Sequence, residues 1–158
     1  MKRIGYIILP VLMLVLLLGA CASSEECLAA YAAADAQKLL DAGVFDGEME
    51  PVDAFIVSML YGIDEKDITE CACYLAIDTS VSADELTVLV LTDEAAAQAA
   101  EAACWERVES QIDSCAAYCP DQVPRLEDAV ILRRGCTVLL AVGNPDKLPQ
   151  ALTELGLN

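Results

Sequence analysis

Thr69-Glu70-Cys71-Ala72-Cys73-Tyr74-Leu75-Ala76-Ile77-Asp78 decides the fold. Its residues alternate. Cys71, Cys73, Leu75 and Ile77 share one face of an extended chain, and Ala72, Tyr74 and Ala76 share the other. Leu86 to Thr92 follows as a second strand rich in Val and Leu. The link between them, Thr79 to Glu85, is polar and short, so an antiparallel hairpin is the simplest pairing.

Downstream, Thr92-Asp93-Glu94 opens the longest predicted helix, with Thr92 as cap and two acids at the positive end of the helix dipole. Seven alanines between Ala95 and Cys104 give it high helix propensity, and Pro120 ends it. Val130 to Arg134 and Thr137 to Val142 form a second hairpin around the turn Arg134-Gly135-Cys136. A last helix starts at Asp146, tolerates Pro149 in its first turn and stops at Gly156. Upstream, Ser23 with Glu26 fits a capping box, and Leu28, Tyr31, Ala32, Ala36 and Leu39 recur at helical spacing as far as Gly43. Gly47 to Pro51 reads as an acidic connector. Val52 to Tyr61 fits a helix or a strand, and Pro51 at a first turn tips it to helix. The predicted order is α(α)ββαββα. It implies an α+β fold, with a four-stranded, mainly antiparallel sheet and helices packed on one face.

The first 21 residues address location. Met1-Lys2-Arg3 is basic, Ile4 to Leu18 is almost wholly apolar, and Leu18-Gly19-Ala20-Cys21 closes the segment. This pattern resembles the lipobox of bacterial lipoproteins. It implies a signal peptide over residues 1–20, lipidation of Cys21, a short tether over residues 21–26 and a single domain over residues 27–158. Two acyl chains on Cys21 would give stable anchoring to the membrane. The competing reading is an uncleaved transmembrane helix, since Ile4 to Ala22 is about long enough to span a bilayer.

Beyond residue 20, seven basic residues face 26 acidic ones, a formal charge of −19. A field of that sign repels nucleic acid and anionic lipid, so no nucleic-acid partner is expected. The chain contains no histidine, which removes Ser-His-Asp and Cys-His catalysis, histidine metal sites and histidine-ligated haem.

Seven cysteines follow Cys21. Cys71 and Cys73 share a strand face. Cys104, Cys115 and Cys119 fall within about 60° of one another around an ideal helix. These five therefore form a candidate disulfide or thiol cluster between helix and sheet. Three readings compete: small buried apolar residues; disulfides across the core, for example from Cys71 or Cys73 to Cys115 or Cys119; and a thiolate metal site, disfavoured because the pairs sit within regular elements. The acids Asp46, Glu48 and Glu50 lack EF-hand spacing and read as a solvated loop. Arg107, Arg133 and Arg134 read as local ion-pair partners, and Trp105 as a packing residue at a helix boundary. No catalytic residue, cofactor or metal is expected, and thiol redox is the only enzymatic chemistry at which the composition hints.

Together these residues resemble the domain-of-unknown-function 4358 family of short bacterial lipoproteins. The resemblance rests on Leu18-Gly19-Ala20-Cys21, Met59-Leu60-Tyr61-Gly62-Ile63-Asp64, Asp93-Glu94-Ala95, Glu106-Arg107-Val108-Glu109, Tyr118 with Pro120, Leu126-Glu127-Asp128-Ala129-Val130 and Arg134-Gly135. It implies a lipid-anchored extracytoplasmic domain, and it carries no assigned activity, substrate or catalytic residue. The cysteines are more numerous than that pattern requires. The expected function is a non-enzymatic protein-interaction or structural module of the cell envelope, its partner an envelope protein. The alternative is a small-ligand or metal-binding accessory lipoprotein.

Overall fold

A computed structural model describes residues 27–158. The signal segment, Cys21 and the Ser23–Glu26 capping box lie outside the described residues. Helix α1 (Ala34–Asp41) is followed by strand β1 (Met49–Val52) and helix α2 (Ala54–Tyr61). Strands β2 (Ile68–Ala76) and β3 (Glu85–Leu91) lead into helix α3 (Glu94–Tyr118). The short helix α4 (Val123–Glu127), strands β4 (Val130–Arg134) and β5 (Thr137–Val142) and helix α5 (Leu148–Glu154) complete the order. No described helix is long and apolar enough to cross a membrane.

The five strands form one antiparallel sheet in the order β1-β2-β3-β5-β4. Two expectations need correcting. The sheet has five strands rather than four, because Met49–Val52 adds to the outer edge of β2, with Pro51 opposite Tyr74. Proline is tolerated there because an edge strand need not donate on both sides. Helices also cover both faces, not one. β3 and β5 are apolar at both parities, so each face needs a cover. Leu89, Leu91, Val138, Leu140 and Val142 pack beneath α2, α3 and α4. On the opposite face, Leu86, Val88, Leu139 and Ala141 pack beneath α1 and α5.

Local chemistry sets the ends of the elements. Asp53 caps α2 by accepting from Ile56 N at 2.9 Å, and Gly62 stops it in the left-handed conformation. Asp93, one residue after the expected Thr92, caps α3 by accepting from Ala96 N at 2.8 Å. The N-terminal helix begins only at Ala34. Upstream, the chain runs against the β4–β5 turn, where Thr137 Oγ1 accepts from Ala30 N at 3.2 Å and Tyr31 N at 3.3 Å. Ala29 bridges to Gly135, and Cys27 is disulfide-bonded to Cys136, with Cα atoms 5.6 Å apart. Gly135 sits at positive φ, and a Cβ there would collide with the Leu28 carbonyl.

Candidate functional site

Strand parity places Glu85 and Thr87 on the same face of β3 as Leu89 and Leu91, so a carboxylate enters the layer beneath α3. Glu85 is 1% exposed. A charge buried so deeply must be paired and hydrogen-bonded. Arg107, one turn beyond Cys104 and Ala103 on α3, supplies the pairing. Its Nε donates to Oε1 of Glu85 at 2.5 Å and its Nη2 to Oε2 at 2.8 Å, a bidentate fork. Gln111, one turn further on, donates from Nε2 to Oε2 at 3.0 Å. Tyr61, the last residue of α2, donates its hydroxyl to Oε1 of Glu85 and lies 2.7 Å from Thr87 Oγ1. The Arg107 guanidinium stacks over the Tyr61 ring at 5.4 Å from its centroid. Thr87 in turn lies 3.1 Å from the sulfur of Cys73, its partner across the β2–β3 ladder.

The network alters the acidities of its members. Burial, reinforced by the Glu85 charge, pushes the Tyr61 phenol well above its ordinary value. Burial pushes the Cys73 thiol up to about 12 despite its Thr87 contact, and the Cys104 thiol likewise to about 12. Such thiols are protonated and inert at neutral pH. Burial would lower Arg107, but its hydrogen bonds to Glu85 and that charge outweigh it and hold the guanidinium protonated.

Beside the network is a cleft, and its origin is a mismatch of lengths. β3 has seven residues and spans about 20 Å, whereas the 25 residues of α3 span about 37 Å. Arg107 lies over the start of β3. The rest of the helix, from Val108 to Tyr118, therefore overshoots the sheet and roofs the β2–β3 loop. The cleft encloses about 290 Å³ between Leu75, Ala83, Arg107, Gln111, Cys115 and Tyr118, among others. Its walls are mainly apolar, with the Glu85–Arg107 pair at the inner end. Gln111 Oε1 is buried there without a hydrogen-bond partner. A second ion pair braces the loop. Arg125 of α4 meets Asp84 and, at 2.5 Å, Asp46, while Asp84 Oδ2 accepts from the backbone of Asp46 at 2.9 Å and Gly47 at 3.0 Å.

All five cysteines of the candidate cluster lie on the α3 side of the sheet. Cys73 and Cys104 are fully buried, while Cys71 and Cys115 are half-buried against the same core. Cys119 is half-buried, with its sulfur 2.9 Å from that of Cys115. All five are free thiols, so no bridge joins β2 to α3. The disulfide instead uses Cys27 and Cys136, the two cysteines outside the candidate cluster. Among the described residues, no group of three or more Cys, Asp or Glu side chains has metal-site geometry. Asp46 is held by Arg125. Arg133 pairs with Glu101 of α3 at 2.7 Å. Arg107 finds its partner 22 residues away rather than locally. Trp105 sits in the middle of α3 and is half exposed, not at a boundary.

Glu85, Thr87, Tyr61 and Gln111 were not anticipated. An acid followed at i+2 by Thr, leading into an apolar strand, is the signal that marks the first two, while Tyr61 and Gln111 carry no local signal. A family model described as Domain of unknown function (DUF4358) matches residues 42–143, a span holding the whole sheet, α3 and the cleft. The chain belongs to that family. No curated protein and no solved structure matches it.

Proposed function

We propose that this member of the DUF4358 family is a lipid-anchored extracytoplasmic module that acts by binding rather than catalysis, with the cleft beneath the end of α3 as its site. The anchor reading rests on the basic start, apolar core and Leu18-Gly19-Ala20-Cys21. The Cys27–Cys136 bridge supports it, because disulfides persist in oxidising, exported compartments. The observation that carries the binding reading is the cleft itself. Apolar walls with a few convergent polar groups are the usual form of a small-molecule site. Arg107 and Glu85 satisfy each other, so they orient rather than react. Gln111 Oε1 is a covered acceptor without a partner, and a turn of this side chain toward the cleft would select a small apolar ligand carrying a hydrogen-bond donor.

The test is native mass spectrometry of the full chain, purified in detergent without reductant or chelator, beside a Gln111→Ala variant. A small-molecule adduct retained by the parent and lost from the variant is the expected result. An unliganded parent removes the small-ligand reading. Growth with labelled palmitate tests the anchor separately: label should enter the parent and not Cys21→Ala.

A second reading, docking of an envelope protein, has its own observation. α2 leaves Phe55 58% and Met59 67% exposed beside Ile56, on a helix whose inner face is Val57 and Tyr61. Cross-linking from position 59 on intact cells would capture that partner.

A further inference from the structure

We propose that Cys115 and Cys119 are a thiol–disulfide exchange site, closing to an intramolecular bridge on meeting an oxidised disulfide. On a regular helix, residues four apart hold their Cβ atoms about 5–6 Å from each other, wider than a disulfide accepts. Cys119 is no longer helical. It closes α3 with φ −146° and ψ 62°, held by its N–H to the Cys115 carbonyl at 2.8 Å, and Pro120 follows at once. That departure brings the two sulfurs to 2.9 Å. A further movement of about 0.9 Å makes the bond.

The other free thiols contrast with this pair. Cys73 and Cys104 are sealed in the core, and the Cys71 sulfur has no sulfur neighbour in hydrogen-bond range. Cys115 and Cys119 are half-exposed on the cleft wall, within reach of solvent and of one another.

The step balances without a metal. One thiolate attacks the incoming disulfide, forms a mixed disulfide and expels the first partner thiol. The second thiolate then attacks the mixed bond and expels the other. Two hydrogens and two electrons pass from the pair to the partner, which leaves as two thiols. Burial, aided by the Cys119 contact, pushes the Cys115 thiol up to about 11, so exchange at neutral pH is slow and the pair is read at equilibrium. Closure tightens the last turn of α3, which roofs the cleft; that bearing on ligand access rests on the binding reading above.

The experiment equilibrates the detergent-solubilised full chain with a series of glutathione ratios, quenches with iodoacetamide and digests with trypsin. Cleavage after Arg107 and Arg125 leaves Cys115 and Cys119 alone together on the peptide spanning residues 108–125. The expected result is conversion of that peptide, in one step, from doubly alkylated to unalkylated and two hydrogens lighter than the free dithiol. The internal bridge should exceed single glutathione adducts by roughly tenfold or more. In Cys119→Ser, Cys115 should carry glutathione instead. Double alkylation at every ratio, or stable glutathione adducts on the parent peptide, would overturn the proposal. The deciding readout is the parent peptide, so neither an unstable variant nor an empty cleft affects it.

Discussion

The two faces of the sheet are buried alike and differ in what they bury. Under α1 and α5, Leu86, Val88, Leu139 and Ala141 make an apolar layer that also buries Thr137 and the Tyr31 hydroxyl. Under α2, α3 and α4 the same strands present Glu85, Thr87 and Cys73 to Tyr61 and Arg107. Burying an ion pair is rarely the best route to stability, since desolvation offsets most of the attraction. Both faces therefore hold the domain together by apolar burial. The second also accepts a costly network where it borders the cleft, which is where the binding proposal places the site.

The sharpest way to break the contrast is to truncate each face in turn and follow urea unfolding. Glu85→Ala strands Arg107 in the core and should cost about 3–5 kcal/mol. Leu139→Ala leaves a cavity and should cost about 2–5 kcal/mol. The difference lies in rescue. Glu85→Leu with Arg107→Met should recover nearly all the stability while abolishing any adduct in the cleft. If the double variant is as unstable as Glu85→Ala, the network is structural and the contrast collapses.

The two ends of the sheet extend the comparison. Cys136→Ser should cost about 2–4 kcal/mol and speed amide exchange between residues 28 and 32, near the β4–β5 turn. Exchange at residues 108–118, at the cleft end, should be unchanged. A smaller effect is centred on the polar face. Thiols that ordinarily ionise near 9 are held up to about 12 at Cys73 and Cys104 by burial and by the charge of Glu85, with Arg107 acting the other way. Between those values the unfolded chain binds fewer protons than the folded one. Stability should therefore be flat with pH below about 9 and fall as pH rises toward 12. Cys104→Ala should shallow that fall, and an unchanged slope would assign it elsewhere. The smallest effect is expected on α2. Phe55→Ser should alter stability by no more than about 0.5 kcal/mol while reducing cross-linking to any protein partner.

Much of this was legible before any coordinates. Alternation revealed β2 and its cysteine face, and the two hairpins and α3 followed from periodicity and caps. β1 escaped because four residues containing a proline and an acid carry no strand period. Their pairing is dictated by β2, a tertiary fact. The second helical layer was written in Leu86–Leu91 and Thr137–Val142, where apolar residues occupy both parities, a pattern of strands covered twice. The helical and strand periods put Cys71, Cys73 and Cys104 between α3 and the sheet, whereas Cys115 and Cys119 line the cleft at the end of the helix. Glu85 was read as part of a link, and Arg107 was given helix neighbours. Their partnership joins residues 22 apart, and no local spacing rule reaches that far.

One consequence of the length of α3 concerns height. The Cys27 bridge ties the chain to the β4–β5 turn, beside the end of β3 that leads into α3, and the cleft lies where α3 finishes. On the anchored reading the helix is a ruler standing on the bilayer. The six residues from Cys21 to Cys27 add at most about 20 Å to its roughly 37 Å. The cleft would open outward, tens of ångströms above the headgroups. Its occupant would then arrive from the wall side, beyond the reach of a neighbour whose own exposed loops lie flat on the lipid.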